Sequence, residues 1–326
     1  MVLRCRGGLK VWRLEDRKPQ ALITTRKQFS SRLGSSTRCV TVSGQSAALI
    51  DASIVDPQKR TLSQNDLGSL PVGRRVLASP DGKRWAYFTH GNFSAFQMGK
   101  SGVEALPAHS NLPYAGGLGT ALHPTEDLVW TGKVVFAFSS GTELVRVKDR
   151  QHDGRQLVNS SCPVWVGSNR VVEISQKEKS LVICRWDAQE GKLLNAVDAP
   201  YVAQICVSPN GQHIAEAGSD KKVRIRNAET LEVEQEVRVH EDSLTGVAWH
   251  PALPLLVTAC KDGTTRIWSL PDFKRVDEMK GQPRNTTRLD DLYEVRIEIT
   301  ADGRELNLYR GGEISIFQPE SFHASR

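Results

Sequence analysis

Between residues 240 and 280 the apolar positions follow strand rather than helix spacing. Leu244, Val247 and Trp249 mark a short strand that starts from a polar loop. His250-Pro251 closes it, since proline has no amide donor to extend a ladder. Leu255 to Ala259 is almost wholly apolar, the pattern of a strand buried on both faces. Lys261-Asp262-Gly263 is a hairpin signal, its glycine free to take positive φ. Thr265, Ile267 and Trp268 predict a third strand that ends before Leu270-Pro271. The charged run from Lys274 to Glu278 suits an outermost strand, where charge discourages pairing with another chain. One stretch of sequence therefore predicts a four-stranded antiparallel meander.

The same grammar returns along the chain. Ser79-Pro80-Asp81-Gly82 reappears in altered form as His123-Pro124-Thr125-Glu126, Ser208-Pro209-Asn210-Gly211, His250-Pro251 and Thr300-Ala301-Asp302-Gly303, at separations of 44, 85, 42 and 50 residues. Val166-Gly167-Ser168-Asn169 stands at the midpoint of the longest gap. A period in the forties built from strands and turns predicts a β-propeller of four-stranded blades, with residues 1–326 as a single domain. Third strands end at Trp12, Ile50, Phe96, Phe138, Trp186, Arg226, Trp268 and Phe317. The first unit lacks an inner strand and the last an outer one. Seven blades follow if residues 20–24 pair with the Glu313 to Gln318 strand and close the ring, which removes the open edges. Eight blades, or a chain whose start lies further upstream, is the alternative. Gln64 to Gly73, the least regular stretch, reads as a loop between blades.

The unit from His240 to Ser269 resembles the WD40 repeat family. His240 precedes the first strand, Thr258 lies on the second, Asp262 in the following turn and Trp268 on the third. The resemblance implies a buried chain from indole to hydroxyl to imidazole to carboxylate through these four residues, a network that stabilises when every member is satisfied. Ser269 stands where the family has Asp after Trp. In the preceding unit Glu216 replaces the hydroxyl residue and Arg226-Asn227 the Trp-Asp pair, leaving Asp220. Arg185-Trp186-Asp187 keeps the dipeptide without the turn Asp.

Composition narrows the function classes. A hydrophobic content of 39% leaves room for a core, and repeat units that contact only their neighbours tolerate a length of 326 residues. The opening MVLRCRGGLKVWRL has no sustained apolar run, and no stretch approaches a membrane span. Cys5, Cys39, Cys162, Cys184, Cys206 and Cys260 are scattered, which reads as small core residues in a reducing compartment, the cytoplasm, rather than disulfide or zinc ligands. The net charge of +6 hides an asymmetry: residues 1–100 hold 17 Lys and Arg against 6 Asp and Glu, the remainder 26 against 31. Arg26-Lys27, Lys59-Arg60, Arg74-Arg75 and Lys83-Arg84 all fall in the first part. Such a sector suits an acidic partner, and nucleic acid less well, because no aromatic residues interleave with the pairs.

No HExxH, GxSxG or phosphate-loop motif occurs, Gly116-Gly117-Leu118-Gly119 leads into a strand rather than a helix, and His123 and His250 occupy turn slots. The expectation is a protein without a catalytic set, cofactor or metal. What the resemblance implies is a scaffold that binds a protein through the face where the inner strands begin. Tyr201, Ser243 and Tyr293 stand at equivalent positions there, seven residues before a turn, and are the candidate partner-binding residues. The second reading is a docking or sensing region of a larger enzyme, such as a bacterial serine/threonine kinase, motivated by the incomplete first unit.

Overall fold

The computed structural model describes residues 119–280 without interruption, most of 76–107, parts of 296–319, and the backbone alone of strands between residues 2 and 69. Every regular element among the described residues is a strand. They form eight antiparallel sheets in chain order. The seventh shows the rule: Leu244–Trp249, Leu255–Cys260, Thr264–Ser269 and Lys274–Lys280 pair each with the next. Its second strand is buried at every position, as an apolar run flanked by sheets on both sides requires. The sixth repeats it with Val202–Val207, His213–Gly218, Lys222–Asn227 and Val233–Arg238. The fifth has Arg155–Val166, Arg170–Lys177, Ser180–Asp187 and Lys192–Asp198, and adds a short inner strand, Gln151–His152, before them.

First strands of neighbouring sheets lie side by side, from Val76–Ala78 in the third sheet through Ala121–Leu122, Arg155–Val166, Val202–Val207 and Leu244–Trp249 to Arg296–Ile299 in the eighth. The apolar clusters fall between sheets rather than at one centre. Ala215, Val223 and Ile225 of the sixth sheet pack with Leu244, Val247, Leu256 and Trp268 of the seventh. Val257, Ala259 and Ile267 on the opposite face of the seventh pack with Ile297, Leu306 and Leu308 of the eighth. Each sheet therefore completes its core only against its neighbours, which is the physical meaning of a stacked repeat.

The count of seven blades is not confirmed, because the described strands form eight separate sheets. The expected ladder between residues 20–24 and the last strand does not form. Pro19–Thr24 pairs instead with Gly8–Trp12, which pairs with Val2–Cys5, and Val2–Cys5 lies beside Glu313–Phe317. Few residues separate these three strands in sequence, so they pair with one another at small entropic cost, and Val2–Cys5 is the strand left to meet the last sheet. Residues 64–69, expected in a loop, lie in the outermost strand of the second sheet, Thr61–Ser69. Their polar character is that of an edge, which has no core to fill. In the fourth sheet Phe136, not Phe138, holds the register of Trp268: Phe136 faces Val129 as Trp268 faces Leu256.

Candidate functional site

In the seventh sheet the register places Leu256 opposite Trp268 and Thr258 opposite Arg266, so Thr258 and Trp268 point to the same side of the sheet. Trp268 Nε1 donates to Thr258 Oγ1 at 2.9 Å, and Thr258 Oγ1 meets His240 Nε2 at 2.8 Å. The other ring nitrogen, Nδ1, meets Thr264 Oγ1 at 3.2 Å, and Thr264 donates through both its hydroxyl and its amide to Asp262 Oδ1, each at 2.7 Å. One tautomer satisfies every link: Nε2 accepts from Thr258 and Nδ1–H donates to Thr264. The carboxylate thus reaches the imidazole through Thr264, a relay the sequence reading did not include. Burial pushes the His240 pKa down to about 4, with Arg266 adding to the effect, so the ring is neutral at neutral pH. Burial raises the Asp262 carboxyl, but bonds from the Thr264 hydroxyl and amide outweigh it and hold the group below its usual range.

His240, Cys260 and Asp262 each bring one metal-ligating atom within 4.8 Å of the others. Both ring nitrogens and the Asp262 carboxylate are engaged in the chain above, and burial pushes the Cys260 thiol up to about 11. These groups fit a hydrogen-bond relay better than an ion, which needs the thiolate.

The sixth sheet fills the same slots with charge. Glu216, 1% exposed, stands where Thr258 does, and Arg226 where Trp268 does. Arg226 Nε meets Glu216 Oε2 at 2.6 Å and its Nη1 donates to the Leu231 carbonyl at 2.8 Å. Arg224 meets Glu216 at 3.2 Å, Asp220 at 2.5 Å and Glu236 at 2.7 Å. Asp220, the one residue of the family pattern left in this unit, is therefore an ion-pair partner. The fifth sheet uses a third solution. Glu173, fully buried, accepts from Trp130 Nε1 of the fourth sheet at 2.9 Å, from Arg150 at 2.8 Å and from Ser175 at 3.0 Å. Trp186, whose dipeptide matched the family pattern, lies 4.9 Å beneath the Arg150 guanidinium instead of donating to a hydroxyl.

His123 and His250 act alike. In each, Nδ1 accepts two amides of its own turn, from Thr125 and Glu126 at 3.2 and 2.8 Å and from Ala252 and Leu253 at 3.1 and 2.9 Å. In each, Nε2 reaches a glycine carbonyl in the next sheet's turn, Gly167 at 3.2 Å or Gly303 at 2.9 Å. Arg84 ties the third sheet to the fourth by donating to the carbonyls of His123, Pro124 and Glu126. That removes Arg84 from the basic surface expected for residues 1–100; the side chains of Arg26-Lys27, Lys59-Arg60 and Arg74-Arg75 lie outside the described residues.

The face on which first strands begin, here called the top face, also carries the turns between second and third strands. Ser219 of such a turn donates its amide and hydroxyl to the Tyr201 carbonyl at 2.7 and 3.1 Å. Ser243 Oγ donates to the Ser219 carbonyl at 2.9 Å, and the Lys261 amide donates to the Ser243 carbonyl. Tyr201 and Ser243 thus belong to one bonded strip across the sixth and seventh sheets. The Tyr201 side chain is 52% exposed although its backbone is fixed. Tyr293 lies outside the described residues.

Residues 191–227 and 232–269 match the WD40 family model (WD domain, G-beta repeat), so two WD40-like repeats stand within a β-propeller fold. The chain superposes on the WD40 β-propeller domain of Doa1 with a TM-score of 0.59 at 13% identity, over 93% of this chain and 97% of that one. Among curated relatives, it is 28% identical to Protein HIR1 of Candida albicans over 130 residues, 39% of this chain and 14% of that protein. It is 25% identical to WD repeat-containing protein 55 of Rattus norvegicus over 175 residues, 51% of this chain and 44% of that one. The match spans less than half the length of each of these relatives. No helix among the described residues is long and apolar enough to cross a membrane.

Proposed function

We propose that the chain is a non-catalytic scaffold that presents its top face to a protein partner. The observation that supports this best is Tyr201: a large amphipathic side chain, half exposed, on a backbone held by Ser219 and joined to Ser243 of the next sheet. A rigid aromatic on a fixed backbone loses little freedom on binding, which is why such residues anchor interfaces. The buried polar groups support the same reading from the other side. Glu173, Glu216 and His240 each face partners within the fold and none is left aimed at a substrate. WD-repeat relatives support a scaffold role in general, and a cytoplasmic site is part of the proposal, carried by the cysteine pattern alone.

Affinity capture from the native host, comparing the wild type with Tyr201→Ala/Tyr293→Ala, tests it. A partner held by this face should lose about 1–3 kcal/mol of affinity while the melting temperature stays unchanged. Equal capture by both proteins would refute the assignment of the face. A second reading is a docking part of a larger enzyme, for which an in-frame kinase-like extension would be the sign.

A further inference from the structure

The turns between second and third strands carry one lysine in each of four consecutive sheets: Lys133, Lys179, Lys221 and Lys261. Three are exposed and Lys221 is partly so. None makes an ion pair with any described residue. Lysines at the adjoining strand ends behave differently: Lys177 is held by Asp153 and Asp198, and Lys222 by Glu236. The acids of the same turns are committed too, Glu178 to Arg155, Asp220 to Arg224 and Asp262 to Thr264. These turns therefore offer cations without an ion-pair partner among the described residues at the repeat spacing, while their own carboxylates are held in internal bonds.

We infer that this arc of turn lysines docks an extended acidic segment of a protein partner, running across the fourth to seventh sheets past Tyr201. The inference rests on the top-face reading above and adds the chemistry of the partner. Charged side chains on an extended peptide meet separated lysines one at a time and pass between the fixed carboxylates. A continuous phosphate backbone would be pressed against Asp153 and Glu178, which are 68% and 61% exposed. Rim charges of this kind govern the rate of encounter and its salt dependence.

The test is a fluorescence-anisotropy titration of the full chain with a labelled Glu-rich peptide, its all-Gln counterpart, and a single-stranded oligonucleotide of matched charge. Lys179→Glu/Lys261→Glu should weaken the Glu-rich peptide about tenfold at low ionic strength and flatten its salt dependence. Lys192→Glu/Lys274→Glu, an equal charge change on exposed outer-strand positions, should leave binding unchanged. Equal loss in both doubles would reduce the effect to net charge and overturn the inference, as would no loss in either, no binding of the Glu-rich peptide, or oligonucleotide binding as tight as the peptide's. Should the first double melt early, Lys179→Gln/Lys261→Gln gives a smaller loss in the same direction. If Tyr201→Ala abolishes capture of the native partner and the lysine reversals do not, the top-face reading stands and the acidic segment falls.

Discussion

Replacing Glu216 by Thr and Arg226 by Trp would give the sixth sheet the residues that the seventh uses in the same slots, and the energetics of the two single changes differ sharply. Glu216→Thr leaves the Arg226 guanidinium buried, with only the Leu231 carbonyl to receive it. An unpaired buried charge of this kind costs about 3–5 kcal/mol. Arg226→Trp is milder, about 1–3 kcal/mol. The Glu216 carboxylate keeps Arg224 at 3.2 Å and is free to accept the new indole N–H, as Glu173 accepts Trp130 at 2.9 Å. Together the substitutions remove the buried pair and supply the indole-to-hydroxyl bond seen between Trp268 and Thr258. Replacing a buried ion pair by well-packed groups is commonly neutral or stabilising, so the double variant should lie within about 1 kcal/mol of the wild type. Urea denaturation of the four proteins, followed by circular dichroism, gives the coupling energy directly. The prediction is a coupling of at least about 2 kcal/mol. Additive losses in the double variant would show that the two slots do not form one polar unit.

Stability should fall on acidification through His240. Its folded pKa lies near 4, below the ordinary value of 6.5, so the unfolded chain takes up a proton first as pH drops. The contribution is complete above about pH 6.5 and is lost between there and about pH 4, to a total of roughly 3 kcal/mol; urea midpoints that do not differ between wild type and His240→Gln across this window would contradict it. Gly303→Ala should destabilise by more than about 2 kcal/mol, since φ is +71° and a Cβ would stand 2.5 Å from His250 Cε1. An unchanged thermal midpoint would refute the close contact.

Turn chemistry made the repeat legible, because proline and glycine at a fixed period leave few alternatives to a meander. The seventh sheet was legible residue by residue: His240, Thr258 and Trp268 stand in one bonded chain, and only the Thr264 relay escaped, a hydroxyl two positions from Asp262 that no motif marks. The sixth sheet was illegible for a different reason. Arg226 and Glu216 read as departures from a pattern, whereas the register sets them opposite one another's space, and only pairing reveals that two departures form one bond. The strand that meets the last sheet was misassigned because hydrophobic pattern says where a strand is but not which edge it joins; Pro19–Thr24 had a nearer partner, and Val2–Cys5 lies beside Glu313–Phe317 instead. His123 and His250 were recognised as turn residues, but their bonds to Gly167 and Gly303 cross 44 and 53 residues of sequence, beyond any local signal.

The three polar solutions in adjacent sheets bear on how a chain of near-identical units finds its own partners while folding. A second strand from one sheet and a third strand from another share length, twist and apolar pattern, so nothing in the backbone forbids their exchange. The buried polar slot does. The third strand bearing Arg226, laid against the second strand bearing Thr258, would bury a guanidinium without its carboxylate; the strand bearing Trp268, laid against Glu216, would exchange a buried ion pair for an indole donor, the milder mismatch. The first mismatch carries the penalty of an uncompensated buried charge, several kcal/mol, and the second a smaller one, against a correct pairing that carries neither. Divergence between repeats thus labels each sheet, and a sequence made more uniform toward the seventh repeat would fold with more cross-paired, aggregation-prone species even where its native state was equally stable.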